Sequence, residues 1–303
     1  MTIQAQAVRR SFGTNVAVAH ADLDIREGTV TGLIGPNGCG KTTLLLMLAG
    51  LLAPDIGSIR IAGVNPVTHG HAARAKIGWM PDHVGTWESL TATEILVTFG
   101  ELYGIPENQG FGIAHQLLEE VGLSKFADRK VRVLSRGQKQ RLSLARALVH
   151  DPEVLLLDEP ASGMDPESRL TLREIIRRRA QQGTTVVISS HILPELEAMV
   201  DDVVMMQDGR TIAQESSGTS PVWRIVSRDS ELLLEWATAN GLARPRPVTD
   251  SSVTGGSEVE FTAPETEASR YLSSALQAGV TVVQFGSRSL ESRYLNMTTQ
   301  KDA

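Results

Sequence analysis

Residues 35–42 read GPNGCGKT, a glycine, four residues, then Gly40, Lys41 and Thr42. Gly35, Gly38 and Gly40 let successive backbone N–H groups turn inward to form an anion-binding concavity, and a following helix adds the positive end of its dipole. Lys41 supplies a mobile charge. On a nucleoside triphosphate its ammonium reaches the β- and γ-phosphates, while the Thr42 hydroxyl sits on the Mg²⁺ that bridges them. Pro36, Asn37, Cys39 and Thr43 complete the stretch expected to line the nucleotide. The flanks agree with this reading: residues 29–34 (TVTGLI) have the pattern of a short buried strand, and residues 43–49 (TLLLMLA) that of a helix ended by Gly50 and Pro54.

The 303 residues are 41% hydrophobic, enough for one large domain and a smaller one. A net charge of −6, with both signs interspersed, argues against nucleic acid as the main partner, because no basic excess is present to release counterions. The opening MTIQAQAVRRSFGT lacks the apolar core of a secretory signal, which predicts a cytoplasmic protein. Cys39 is the single cysteine, so no internal disulfide forms. The longest apolar stretch, residues 44–53, is interrupted by Gly50 and is about half of what a bilayer span needs.

Residues 154–160 read VLLLDEP, four apolar residues and then two carboxylates. An unalternated apolar run marks a strand buried on both faces of a parallel sheet, and ligands collect at the carboxyl ends of such strands. Asp158 is therefore the candidate to hold Mg²⁺, and Glu159 to orient and polarise an attacking water. Residues 184–190 (TTVVISS) repeat the buried-strand pattern and deliver His191, whose imidazole can hydrogen-bond a γ-phosphate oxygen.

Between these two strands residues 134–148 read LSRGQKQRLSLARAL. With this segment the set resembles the ATP-binding cassette (ABC) ATPases, the motor subunits of ABC transporters. The resemblance covers about residues 3–209 and implies an α/β fold, a P-loop NTPase of ABC type with an inserted helical subdomain. Ser135, Arg136, Gly137 and Gln138 occupy the family's signature LSGGQ, with Arg136 in place of the first of its two glycines. A serine-capped helix start is an anion site, and in the family that anion is the γ-phosphate bound to the opposite subunit, so two copies assemble head to tail around two ATP. Phe12 matches the aromatic that stacks on adenine. Ser162, Gly163, Met164 and Asp165 stand at the D-loop, which touches the partner subunit, and His191 matches the switch histidine. Glu159, His191 and Lys41 are then the catalytic candidates.

One position departs from the family. Residues 77–83 read IGWMPDH and place Asp82 where a glutamine usually contacts Mg²⁺ and the attacking water. A carboxylate ligates Mg²⁺ as an amide oxygen does but adds negative charge near the γ-phosphate, which predicts retained ATP binding with altered metal or pH dependence. The alternative is that Asp82 caps the following turn. Thr42, Asp158 and Asp82 form the expected metal set. Cys39 also has two readings: a thiolate favoured by the helix start and Lys41, so that alkylation blocks ATP binding, or a small filler pointing away from ligand.

Residues 84–150 fit the family's helical subdomain, with helices expected over 91–102 and 112–121 and then the signature helix. This is the surface that docks a membrane partner, and Leu90, Ile95, Leu96 and Phe99 belong to its core or to that surface. Residues 215–221 read as a linker after a cassette spanning 1–215. Residues 222–303 follow as a small α+β accessory domain with the order β-α-β-β-α-β of a ferredoxin-like unit: strands at 222–227, 246–249, 258–262 and 280–285, helices at 230–240 and 266–278, a turn at 255–256, and a last helix at 289–298. The resemblance implies an ATPase subunit that powers export by a separate transmembrane permease, peripheral at the inner face of the membrane, as a homodimer or with a paralogous subunit. The rival reading is a soluble ABC-type ATPase acting as a nucleotide-dependent switch on a non-membrane partner.

Overall fold

Runs of apolar residues without alternation belong in the middle of a sheet, and the computed structural model puts them there. It describes residues 1–83, 85, 87–190, 192–216, 222–248 and 256–287. The chain divides into two units, Met1–Ser216 and Ser217–Ala303. The first unit opens with β1 (Ile3–Phe12), β2 (Asn15–Ile25), β3 (Val30–Ile34), α1 (Lys41–Leu48), β4 (Ile56–Ile61), α2 (Gly70–Arg74) and β5 (Ile77–Met80). Three longer helices follow, α3 (Ala92–Leu102), α4 (Glu107–Glu120) and α5 (Arg136–Leu148). The chain then returns through β6 (Val154–Asp158), α6 (Pro166–Gln181), β7 (Thr185–Ser190), α7 (Leu193–Glu197), β8 (Asp202–Gln207) and β9 (Arg210–Ser216).

The nine strands form one mixed sheet in the order β4-β1-β2-β9-β8-β3-β7-β6-β5. β8, β3, β7, β6 and β5 run parallel, whereas β1 pairs antiparallel with β2 and β4, and β9 with β8. Every residue of β3, β6 and β7 is buried, as strands covered on both faces require. Ile3, Val18, Leu44, Leu48, Ile61 and Leu156 meet in the core below α1. Each such side chain contributes about 1.5–3 kcal/mol by leaving water.

Register sets the site. Ile34 lies beside Ser190 and Asp158 beside Ser189, so the chain leaves β3, β6 and β7 along one edge of the sheet. β3 starts one residue later than the sequence suggests, because the Thr29 hydroxyl donates to the Arg26 carbonyl in the preceding turn. α1 starts two residues earlier than expected, at Lys41, directly from Gly40 in a left-handed conformation (φ +105°).

In the helical segment α3 is opened by a capping box in which Thr91 and Glu94 each bond the other's backbone N–H. Ile95 and Leu96 are fully buried, while Leu90 and Phe99 are half-buried. α4 begins at Glu107, five residues before the expected start: the extended Pro106 caps it, and Gly110 sits inside it with its Cα side against Val97. Close contact between α3 and α4 uses Gly110.

In the second unit β10 (Val222–Ser227), α8 (Ser230–Ala239), β11 (Arg246–Pro247), β12 (Ser257–Thr262), α9 (Glu265–Gln277) and β13 (Val282–Ser287) give an antiparallel sheet in the order β11-β12-β10-β13. This is the ferredoxin-like arrangement. Ile225, Leu233, Trp236, Val259 and Phe261 form its core, and the Trp236 indole donates to Ser274 Oγ at 3.1 Å. β13 runs two residues beyond the expected strand in register with β10. Residues 215–216, read as the start of a linker, instead end β9 in its ladder with β8. Residues 217–221, Gly255 and the helix expected at 289–298 lie outside the described residues. No helix among the described residues is long and apolar enough to cross a membrane.

Candidate nucleotide site

The loop after β3 wraps around its own lysine. Lys41 is 7% exposed, and its ammonium donates to the carbonyls of Gly35 at 2.7 Å and Pro36 at 3.1 Å. A lysine carries three N–H donors, so one remains for a ligand. The start of α1 has no side-chain cap, leaving the N–H groups of its first turn to an anion. Gly35 and Gly40 are required by close approach: a Cβ would collide with the Met206 carbonyl at the first and with the Ala17 carbonyl at the second. β2 and β8 therefore brace the loop from both sides.

At the next strand end Thr42 Oγ1 donates to Asp158 Oδ2 at 2.7 Å, and Ser189 Oγ donates to Asp158 Oδ1 at 2.6 Å. Ser189 also accepts from the Glu159 N–H at 3.0 Å. Glu159 has φ +48°, a left-handed conformation uncommon for a side chain with a Cβ, and this turns the chain out of β6 into the cleft. Asp158 is 1% exposed, and both of its oxygens are held by hydroxyls.

Phe12, Asn15, Val16, Ala17, Asn37, Gly38, Gly40, Lys41, Thr42, Thr43, Asp82, Asp158 and Glu159 line one cleft of about 400 Å³. Sequence reasoning placed most of these residues; the turn between β1 and β2 brings Phe12 to the mouth, 49% exposed, with the Arg10 guanidinium 4.9 Å from its ring centre. Asp82 lies in the cleft wall, and its carboxylate pairs with the His83 ring at 3.2 Å. A hollow of about 920 Å³, lined by residues such as Glu27, Glu153 and Thr184, opens at the opposite, amino ends of the parallel strands, where ligands do not collect. His191 lies outside the described residues.

Of the two readings of Cys39, the small filler side chain turned into the core is the one that holds, and the thiolate is not favoured. Its side chain is 5% exposed, belongs to the core cluster beneath the loop and lies against Gly35. Burial raises the thiol pKa, outweighing the pull of Lys41. Sequence reasoning missed Ser189, Asn15, Val16 and Ala17. Ser189 had one visible signal, a serine pair ending an otherwise apolar strand; the other three are placed by the β1–β2 turn, which no local motif announces.

Beyond the cleft, Ser135 caps α5: its hydroxyl accepts from Gln138 N–H at 3.2 Å, and Gln138 Oε1 accepts from Ser135 N–H at 2.9 Å. Gly137 and Arg136 are the first exposed or half-exposed residues of that helix. Asp165 caps α6 by accepting from the Ser168 N–H and hydroxyl, which lowers its pKa.

The family described as ABC transporter matches residues 18–162. Nod factor export ATP-binding protein I of Paraburkholderia xenovorans is 38% identical over 212 residues, 70% of each chain. The chain belongs to the ABC transporter ATP-binding family. Linearmycin resistance ATP-binding protein LnrL of Bacillus subtilis is 34% identical over 211 residues, 70% of this chain and 68% of that one. The solved structure of cbiO1 from Clostridium perfringens, part of the ABC transporter complex cbiONQ, superposes with a TM-score of 0.62 at 26% identity, over 71% of this chain and 88% of that one. As an ABC ATP-binding subunit the protein binds and hydrolyses ATP, and subunits of this kind work with membrane permeases.

Residues 18–162 hold the loop, the signature and Asp158–Glu159, the same segments that the fold gathers around one sheet edge and one helix start. The oxygen-only pair of Thr42 and Asp158 suits Mg²⁺, which takes one or two protein oxygens and completes its shell with phosphate and water.

Proposed function

We propose that this chain is the motor of an exporter, hydrolysing ATP at the cytoplasmic face of the membrane to drive a separate permease. The observation that carries the reading is the hydrogen-bonded series Thr42, Asp158, Ser189 and Glu159 beside the uncapped start of α1. It joins a phosphate cradle to a carboxylate that faces the cleft.

The adenine stacks on Phe12, and the phosphates lie along residues 35–43, where backbone N–H groups and Lys41 neutralise them. Thr42 and Asp158 would hold Mg²⁺, with Asp82 at the same wall, and the ion would supply charge neutralisation for the phosphates. Glu159 accepts a proton from water as the water oxygen bonds to the γ-phosphorus; the bond to the bridging oxygen breaks, leaving ADP and phosphate. His191 contacts a γ-phosphate oxygen. Ser135, Arg136, Gly137 and Gln138 of a second copy, identical or paralogous, close the site from the other side.

The two curated relatives described above carry the names of Nod factor export and linearmycin resistance, which favours export over a switch acting away from a membrane. The test of the composite site is sedimentation of the Glu159→Gln protein with and without ATP. A dimer that forms only with ATP supports the reading. A protein that binds ATP yet sediments as a monomer throughout would refute it.

A further inference from the structure

Three residues on the first turns of α5 reach the segment that follows Glu159. Arg136 Nη2 donates to Ser162 Oγ at 2.9 Å. Gly137 lies so close that a Cβ there would come within 3.3 Å of the Gly163 carbonyl. One turn on, Gln140 Nε2 donates to the Glu159 carbonyl at 3.3 Å.

The Arg136 side chain is laid along this segment, not merely bonded at its tip. Gly163 has φ +73°, and a Cβ at that position would meet Arg136 Cδ at 2.9 Å and Nε at 2.8 Å. The absence of a side chain at Gly163 is what lets the guanidinium reach Ser162. The segment itself is tightly turned, with the Ser162 N–H bonded to the Glu159 carbonyl at 3.1 Å and the Met164 N–H to the Ala161 carbonyl at 3.1 Å. A pull at Ser162 is thus passed to the residue that carries the site's strained backbone angle.

We infer that Arg136 is a positioning residue: through Ser162 it ties the signature turn to the loop carrying Glu159 within one subunit. The inference rests on the composite-site reading, in which the signature of one copy faces the nucleotide of the other. Closure of Arg136 and its neighbours on the partner's ATP then orders the same subunit's Glu159, so each site reports its occupancy to the other. A glycine at position 136 would have no side chain with which to make this tie.

The competing role for an arginine here is a cation acting directly on the partner's γ-phosphate, and the two differ in what Ser162 does. Hydrogen exchange of the full-length protein and steady-state ATP turnover would be measured for wild type, Arg136→Gly, Ser162→Ala, Ser162→Thr and the Arg136→Gly/Ser162→Ala double variant. The tie predicts faster exchange of the 160–164 amides in Arg136→Gly and Ser162→Ala, and wild-type exchange in Ser162→Thr, which keeps the hydroxyl. It also predicts kcat lowered about two- to tenfold with KM for ATP little changed, and a double variant no worse than either single one. Unchanged loop exchange, or loss in Arg136→Gly alone, would overturn the tie and leave the motor reading intact. A wild type without turnover would instead overturn the motor reading, while the exchange data still decide the tie.

Discussion

Asp158 shows how far one residue's surroundings set its use. Its two oxygens are held by the hydroxyls of Thr42 and Ser189, and Ser189 also holds the Glu159 N–H, so a single hydroxyl fixes the Asp158 carboxylate and the backbone of Glu159. Ser189→Ala is expected to lower kcat about tenfold while leaving ATP affinity within a few-fold, measured by turnover and by equilibrium binding. Asp82 adds a carboxylate to the same cleft. Removing its charge in Asp82→Asn is expected to tighten binding of Mg²⁺-free ATP by up to about tenfold, read by titration in the presence of a chelator; equal affinities would dismiss its electrostatic role. Lys41, Thr42, Asp158 and Glu159 were legible in the sequence because a fixed spacing and a strand end announce them. Ser189 was not, because its partner is 31 residues away and is reached only through the β6–β7 register. Cys39 had two readings for a related reason: its neighbours in sequence are the cradle, while its side chain turns into the core.

At the scale of elements, β6 was readable from its unbroken apolar run, β3 and β7 as short buried strands beside the motifs they carry, and α3 within a residue of its expected start at Thr91. The start of α4 was obscured because Gly110 lies inside the helix, where its role depends on contact with Val97 of α3. Thr91→Ala removes one half of the capping box and is expected to lower stability by about 1 kcal/mol in chemical denaturation. At the end of α5, His150 stacks face to face on Tyr103 with ring centres 3.6 Å apart, and burial lowers its pKa below the ordinary value of 6.5. The folded state therefore binds fewer protons here than the unfolded chain once the pH falls below 6.5, so stability present above that pH is lost as it falls through the folded pKa. His150→Gln is expected to reduce the drop in thermal midpoint between pH 7 and pH 5, and a wild-type drop unchanged in the variant would exclude His150 as its source.

On the scale of the whole molecule, the proposed composite site gives the cassette two duties: in that proposal residues 35–43 bind a nucleotide held by this chain, and residues 135–138 act on one held by a second copy. A permease contributes the path and this chain the free energy of ATP. The ferredoxin-like unit was readable as an element order from its succession of short strand and helix segments, while its sheet order follows only from pairing between β10 and both β12 and β13. The central claim, that Glu159 activates water against ATP, is tested most directly by steady-state ATP hydrolysis of the purified protein beside its Glu159→Gln variant, with nucleotide binding measured in parallel. The account predicts turnover by wild type and a loss of about a hundredfold or more in the variant at unchanged ATP affinity. Equal turnover by the two proteins would contradict it.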